Sequence, residues 1–165
     1  MGTSGTAERK GYNNYGTFLR EKYNGQKVYK VIVDAGFSCP NRDGSKGFGG
    51  CTYCNTDSFT PELSRKLPSI TEQVLQGIER AKKAYKAERF IIYFQPNTNT
   101  YGTVEYLKKC YDEALAVAPD VIVGLSVGTR PDCLDADKVA LLESYCDRWG
   151  VDVEMGMESI YDITL

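Results

Sequence analysis

The chain has 165 residues, enough for one domain with a substantial core, and its 42% hydrophobic and 25% charged residues exclude wholesale disorder. No run of about 18 apolar residues is present, so no membrane-spanning helix is expected, and residues 1–10 lack the apolar stretch of a signal peptide. Twenty Lys and Arg against 22 Asp and Glu give a net charge of −2, and the absence of histidine excludes Ser-His-Asp, Cys-His and His-ligated metal schemes within the chain.

The charge is uneven. Residues 1–48 carry 8 Lys and Arg against 4 Asp and Glu, and residues 49–165 carry 12 against 18. A basic N-terminal arm hints at an anionic partner, although a solvated leader is the commoner cause. Residues 1–12, rich in Gly, Thr, Ser and charge, read as that leader, and residues 12–24 as a short amphipathic helix ending near Gly25. Residues 1–27 are thus set apart from one domain over 28–165. Residues 28–34 are β-branched and apolar and read as a buried strand. Residues 35–68 form a long Gly-rich stretch with Pro40, Pro61, Pro68 and three cysteines; loops of that length are functional or disordered.

A regular pattern follows. Ser69 and Glu72 make a capping box for a helix with Ile70, Val74, Ile78, Ala81 and Tyr85 on one face. Residues 89–95 are a second strand. Thr103 caps a helix that buries Val104, Leu107, Tyr111, Ala114, Leu115 and Ala118 before Pro119. Residues 121–127 are a third strand. A further helix begins near Asp135, buries Val139, Leu142, Tyr145, Cys146 and Trp149, and is expected to end on a left-handed Gly150. Residues 151–157 are a fourth strand. Strand starts 32 and 30 residues apart predict βαβ units in a parallel sheet. Ser159 and Asp162 look like the start of another helix, yet the sequence stops at Leu165. The expected class is α/β: an incomplete (β/α) partial barrel cut after about the fourth strand, with Val151 and Val153 on an open edge. Alone, such a species is expected to be poorly stable, prone to association and weak in turnover.

The six cysteines, without a secretory signal, suggest a reducing cytoplasm and metal or redox work rather than disulfides. Cys39-x11-Cys51-x2-Cys54 follows the first strand, where the C-terminal ends of parallel strands build sites. Three thiolates on a loop with Gly44, Gly47, Gly49 and Gly50 can wrap a four-iron cluster and leave one iron open. The same spacing suits a structural zinc that adds Cys133 or another thiol. A thioredoxin-like pair fits less well, since it has no need of Cys39. Cys110 and Cys146 read as small core residues, and Cys133 as structural.

Further motifs carry a resemblance. Residues 34–44 and 49–55 (DAGFSCPNRDG and GGCTYCN), Phe94-Gln95 with residues 97–101, residues 124–133 (GLSVGTRPDC), residues 154–157 and residues 162–165 follow in order. Together they closely resemble bacterial radical S-adenosylmethionine (SAM) proteins related to the catalytic subunit of Elongator, with their extended spacing before Cys-x2-Cys. The resemblance covers nearly all of the chain after Tyr12 and favours the cluster over zinc. It implies a [4Fe–4S] cluster on Cys39, Cys51 and Cys54, with SAM chelating the open iron through its amino and carboxylate groups. It implies Tyr53 near the adenine, a core tyrosine being the alternative. Gln95, Asn97 and Thr98 would meet the methionine amino group. Ser126, Thr129 and Arg130 would meet the SAM carboxylate or ribose, although Arg130 has Asp132 to pair with. Glu154 would take the ribose hydroxyls or else form a buried salt bridge. Glu158 stands where relatives are expected to carry glutamine. The implied activity is one-electron cleavage of SAM to methionine and a 5′-deoxyadenosyl radical that abstracts hydrogen from a substrate, with no catalytic residue assigned. An electron donor such as a flavodoxin or ferredoxin is implied, and kinship with Elongator makes tRNA a candidate substrate by analogy alone. Arg42 and Lys46 read as solvated loop surface, with a local raising of the cluster potential as their other role. The competing class is a non-enzymatic zinc- or cluster-stabilised binding module.

Overall fold

A computed structural model describes residues 11, 12, 14–54, 67–156, 160 and 161. The leader over residues 1–10, Pro61, Met157, Glu158 and the helix start at Ser159 and Asp162 lie outside the described residues. Helix α1 (Tyr15–Lys22) begins on Asn14, whose side chain accepts from the backbone N–H groups of Gly16 and Thr17. It is shorter than residues 12–24 because that cap sits two residues inside the expected start and the chain turns left-handed at Asn24 and Gly25. Strands β1 (Val28–Val33), β2 (Arg89–Phe94), β3 (Ile122–Thr129) and β4 (Gly150–Met155) form one parallel sheet in the order β1-β2-β3-β4. Helices α2 (Ile70–Tyr85), α3 (Val104–Ala116) and α4 (Ala136–Glu143) join them. A strand order that never reverses belongs to barrel-type winding, whereas a doubly wound sheet reverses at a switch point.

The strands alternate, so residues two apart share a face. Val31, Val33, Phe90, Ile92, Phe94, Leu125 and Val127 belong to one apolar core with Val74, Ile78 and Ala81 of α2 and Leu107, Tyr111, Ala114 and Leu115 of α3. Helix α2 packs on β1 and α3, and α3 packs on β3 and α4. The approach of α2 to β1 is close enough that a Cβ at Gly77 would collide with Val31 Cγ1. The capping box at Ser69 and Glu72 forms as expected, and Thr103 caps α3 by accepting from the Tyr106 N–H. Tyr85, expected on the buried face of α2, is 45% exposed because it stacks on Tyr29 at a centroid distance of 4.5 Å at the sheet's β1 edge.

The fourth helix departs most from expectation. It ends at Glu143 instead of running to Gly150. Beyond it Tyr145, Cys146 and Arg148 donate their backbone N–H groups to Leu142, Glu143 and Tyr145, three residues back. Such turns advance side chains by about 120° per residue. The Trp149 N–H then donates to Tyr145 O four residues back, and Tyr145 and Trp149 stay against the core while Cys146 is exposed. Val139 is also exposed, since α4 rests on α3 through Leu141 and Leu142. Gly150 opens β4 with ordinary backbone angles and caps nothing. Cys110 is buried in α3, as expected.

Candidate functional site

The chain leaving β1 is fixed at both sides. Gln73 of α2 accepts from the Asp34 N–H and donates to the carbonyls of Asp34 and Pro68, each within 2.9 Å. From the end of β2, Asn97 Nδ2 donates to Phe37 O (3.1 Å) and the Thr98 N–H donates to Ser38 O (3.2 Å). The cysteine loop thus starts from a stitched base. Cys39 O accepts from the Arg42 N–H, Asn41 O accepts from the Gly50 N–H, and Asp43 bridges to Phe48. Gly50 is left-handed (φ 87°), and a Cβ there would press on the Arg42 guanidinium at 2.9 Å.

The loop and the C-terminal strand ends enclose an open cavity of about 940 Å³, at the upper end of the usual size for ligand sites. Ten of the eleven residues singled out from the sequence line it: Cys39, Cys51, Tyr53, Cys54, Gln95, Asn97, Thr98, Thr129, Arg130 and Glu154. Ser126 does not; it is fully buried and reaches the wall through Glu154. Tyr53 is 66% exposed, so the core-tyrosine alternative is wrong.

All three loop cysteines are half-buried free thiols, and each receives a donor. Asn41 Nδ2 donates to Cys51 Sγ at 3.1 Å, Arg42 Nη2 to Cys54 Sγ at 3.8 Å and Arg130 Nη1 to Cys39 Sγ at 3.8 Å. Burial pushes the Cys39 thiol up, but bonds from Thr98, the Asn41 N–H and Arg130 outweigh it and hold the thiol below its ordinary value. Arg130 also grips Asp132 through two bonds of 2.9 Å, and Asp132 takes Lys46 of the loop as well. These bonds, led by Arg130's, hold the Asp132 carboxyl well below the usual aspartate range. Neither Arg42 nor Lys46 is idle loop surface: one lies on Cys54, the other ties the loop to the end of β3.

The other wall comes from β2 and β3. After the cis Gln95-Pro96 bond, Asn97 adopts a left-handed conformation (φ 65°) and its Oδ1 is buried without a partner. The Thr129 hydroxyl is taken up by Thr100 at 2.5 Å, and Cys133 packs beneath it as a buried thiol raised by burial. On the opposite, polar face of the sheet, which Ser126 and Tyr93 share, Glu154 accepts from Lys30, from Tyr93 (2.7 Å) and from Ser126 (3.2 Å). The predicted salt bridge of Glu154 exists, but it is exposed rather than buried. Burial pushes the Glu154 carboxyl up, and the bonds from Lys30 and Tyr93 outweigh it, leaving it below its ordinary value.

The sequence reading missed Lys30, Tyr93 and Asn41. Lys30 alone interrupts an apolar strand, which is a signal that its side chain serves the other face. Tyr93 and Asn41 carry no such mark. Among the described residues no group of three or more Cys, Asp or Glu is gathered closely enough to hold a metal ion with the side chains as they stand. A zinc ion draws its sulfurs in to about 2.3 Å. A cluster keeps its thiolates farther apart, because its inorganic core lies between them. The three donor-assisted thiols line one cavity together with Asn97, whose side-chain oxygen is buried and unpartnered. An all-thiolate donor set of this kind is one that an iron–sulfur cluster takes.

These features define a parallel α/β sheet of four strands with a sulfur-rich cavity at its C-terminal ends, resembling part of a known fold. The chain resembles the archaeal Methanocaldococcus infernus Elp3 lacking its N-terminus, with a TM-score of 0.52 at 17% identity, over 84% of this chain and 30% of that one. In sequence it is 43% identical to protein YhcC of Escherichia coli K12 over 154 residues, which are 93% of this chain and 48% of the relative. It is 37% identical over 155 residues to the uncharacterized protein YtqA of Bacillus subtilis, covering 94% and 47% of the two chains. It is 34% identical over 165 residues to the uncharacterized protein MJ0486 of Methanocaldococcus jannaschii, covering 93% and 46%. The chain spans about half the length of the curated relatives it matches. No family model matches it. No helix among the described residues is long and apolar enough to cross a membrane.

Proposed function

We propose that this chain is the cluster- and SAM-binding part of a radical SAM enzyme. The observation that carries the reading is the cavity wall on which Cys39, Cys51 and Cys54 each meet a hydrogen-bond donor. The motif resemblance and the Elp3-like sheet support it. When bound, the [4Fe–4S] cluster supplies the electron for reductive cleavage of the SAM sulfonium. The three thiolates would hold it, leaving one iron for the amino acid end of SAM. Asn97 Oδ1 is an acceptor suited to the methionine ammonium, and Gln95 and Thr98 flank it. Tyr53 offers an exposed aromatic face for adenine at the cavity rim. Glu154 is held ionised by Lys30 and Tyr93, and its remaining acceptor capacity suits ribose hydroxyls. Arg130 is engaged with Asp132 and Cys39, so its part here is to secure the thiolate. Thr129, bonded to Thr100, shapes the wall.

Anaerobic reconstitution with iron and sulfide tests the reading. A brown protein with about four irons per chain, and SAM binding in calorimetry that Asn97→Ala and Tyr53→Ala weaken without loss of iron, is the expected result. A colourless protein carrying one zinc would replace it with the binding-module reading.

A further inference from the structure

Each loop cysteine has a donor of its own, and two of the three donors are cations. Arg42 is fixed by a second bond to Cys54 O (3.3 Å) and by the space that Gly50 leaves for it. Arg130 is fixed by its two-point grip on Asp132, whose other partner is Lys46. The charges therefore approach the sulfurs from two different elements, the loop and the end of β3, in arrangements set before any ligand arrives.

We propose that Arg130 and Arg42, with Asn41 as a neutral third donor, raise the reduction potential of the cluster held by Cys39, Cys54 and Cys51. This rests on the cluster reading above. Reduction adds one electron, taken from an external reductant, to a unit that already carries thiolate charge. A donor aimed at a thiolate stabilises the more negative state more than the less negative one, and a charged donor does so most. Asp132 is the positioning residue, since it holds the Arg130 fork where one nitrogen reaches Cys39.

The test is a potentiometric titration of the reconstituted chain without SAM, followed by the electron paramagnetic resonance of the reduced cluster. Arg130→Gln and Arg42→Gln should each lower the ratio of reduced to oxidised cluster at a fixed potential by about tenfold, equivalent to about 59 mV for one electron. Arg130→Lys, which keeps the charge but loses the fork, should fall between Arg130→Gln and the parent, and Asn41→Ala should shift the ratio by only about threefold. Arg89→Gln, at the opposite end of β2, should leave it unchanged. Loaded Arg130→Gln and Arg42→Gln proteins that titrate with the parent overturn the proposal. So does loss of cluster uptake in both while the parent loads, which would make them folding residues of the loop. A parent chain that takes up no cluster overturns the proposed function instead.

Discussion

The two faces of the sheet are made by the same strands and do opposite work. On one face Leu125, Val127, Ile92 and Phe94 are sealed beneath α2 and α3. On the other, Ser126, Tyr93, Lys30 and Glu154 form a polar chain that leads up to the cavity. Neighbours in sequence are thus divided between stability and binding. The dry face fixes the strand ends to within the tolerance a ligand site needs, and the polar face can vary its chemistry without loosening the core.

The largest contrast is at the rim. Cys39→Ala, Cys51→Ala and Cys54→Ala should each abolish iron incorporation, whereas Cys110→Ala and Cys146→Ala should leave iron content near that of the parent. Equal iron loss in all five would erase the distinction between rim and core thiols. Next, Leu125→Ala should cost about 2–5 kcal/mol in urea unfolding, because it empties a fully buried site. Its neighbour Ser126→Ala should cost about 1 kcal/mol and chiefly weaken SAM binding. A Ser126→Ala loss as large as that of Leu125→Ala would mean the polar face also bears the fold. Gly77→Ala should destabilise by about 1–3 kcal/mol although alanine is the better helix former, since its methyl meets Val31. An alanine variant as stable as the parent would show that α2 can move off β1 freely.

The smallest effect is a pH dependence on the polar face. Glu154 titrates below its ordinary value in the folded chain, so the unfolded chain binds more protons in the window between the two. The stabilisation from its bonds is complete above the ordinary glutamate range and is lost as pH falls through the lowered value. Lys30→Met should bring the Glu154 carboxyl resonance back toward an ordinary titration and flatten that part of the acid unfolding curve. An unchanged curve would mean that the ion pair forms without consequence, as exposed pairs often do.

Much of this was legible in the residues alone. Four strand positions, the caps at Ser69 and Thr103 and the buried stripes of α2 and α3 follow from hydrophobic period and local hydrogen bonding, which act over a few neighbours. The three cysteines stood out because their spacing and glycines have no use in a core. The sequence of helix α4 keeps helical spacing through Trp149, while the backbone after Glu143 leaves the regular helix for mixed three- and four-residue turns, which local spacing does not distinguish. The tertiary structure alone decided which partners meet across the fold. Lys30 and Glu154 lie 124 positions apart, and Arg130 and Cys39 lie 91 apart. The first pair meets across β2 and β3 on the polar face, although register sets Lys30 level with Gly150 rather than with Glu154. The end of β3 carries Arg130 to the loop after β1. Local pattern has no access to such distances. The sequence by itself determined which atoms could serve as ligands, and the sheet decided which charges stand beside them.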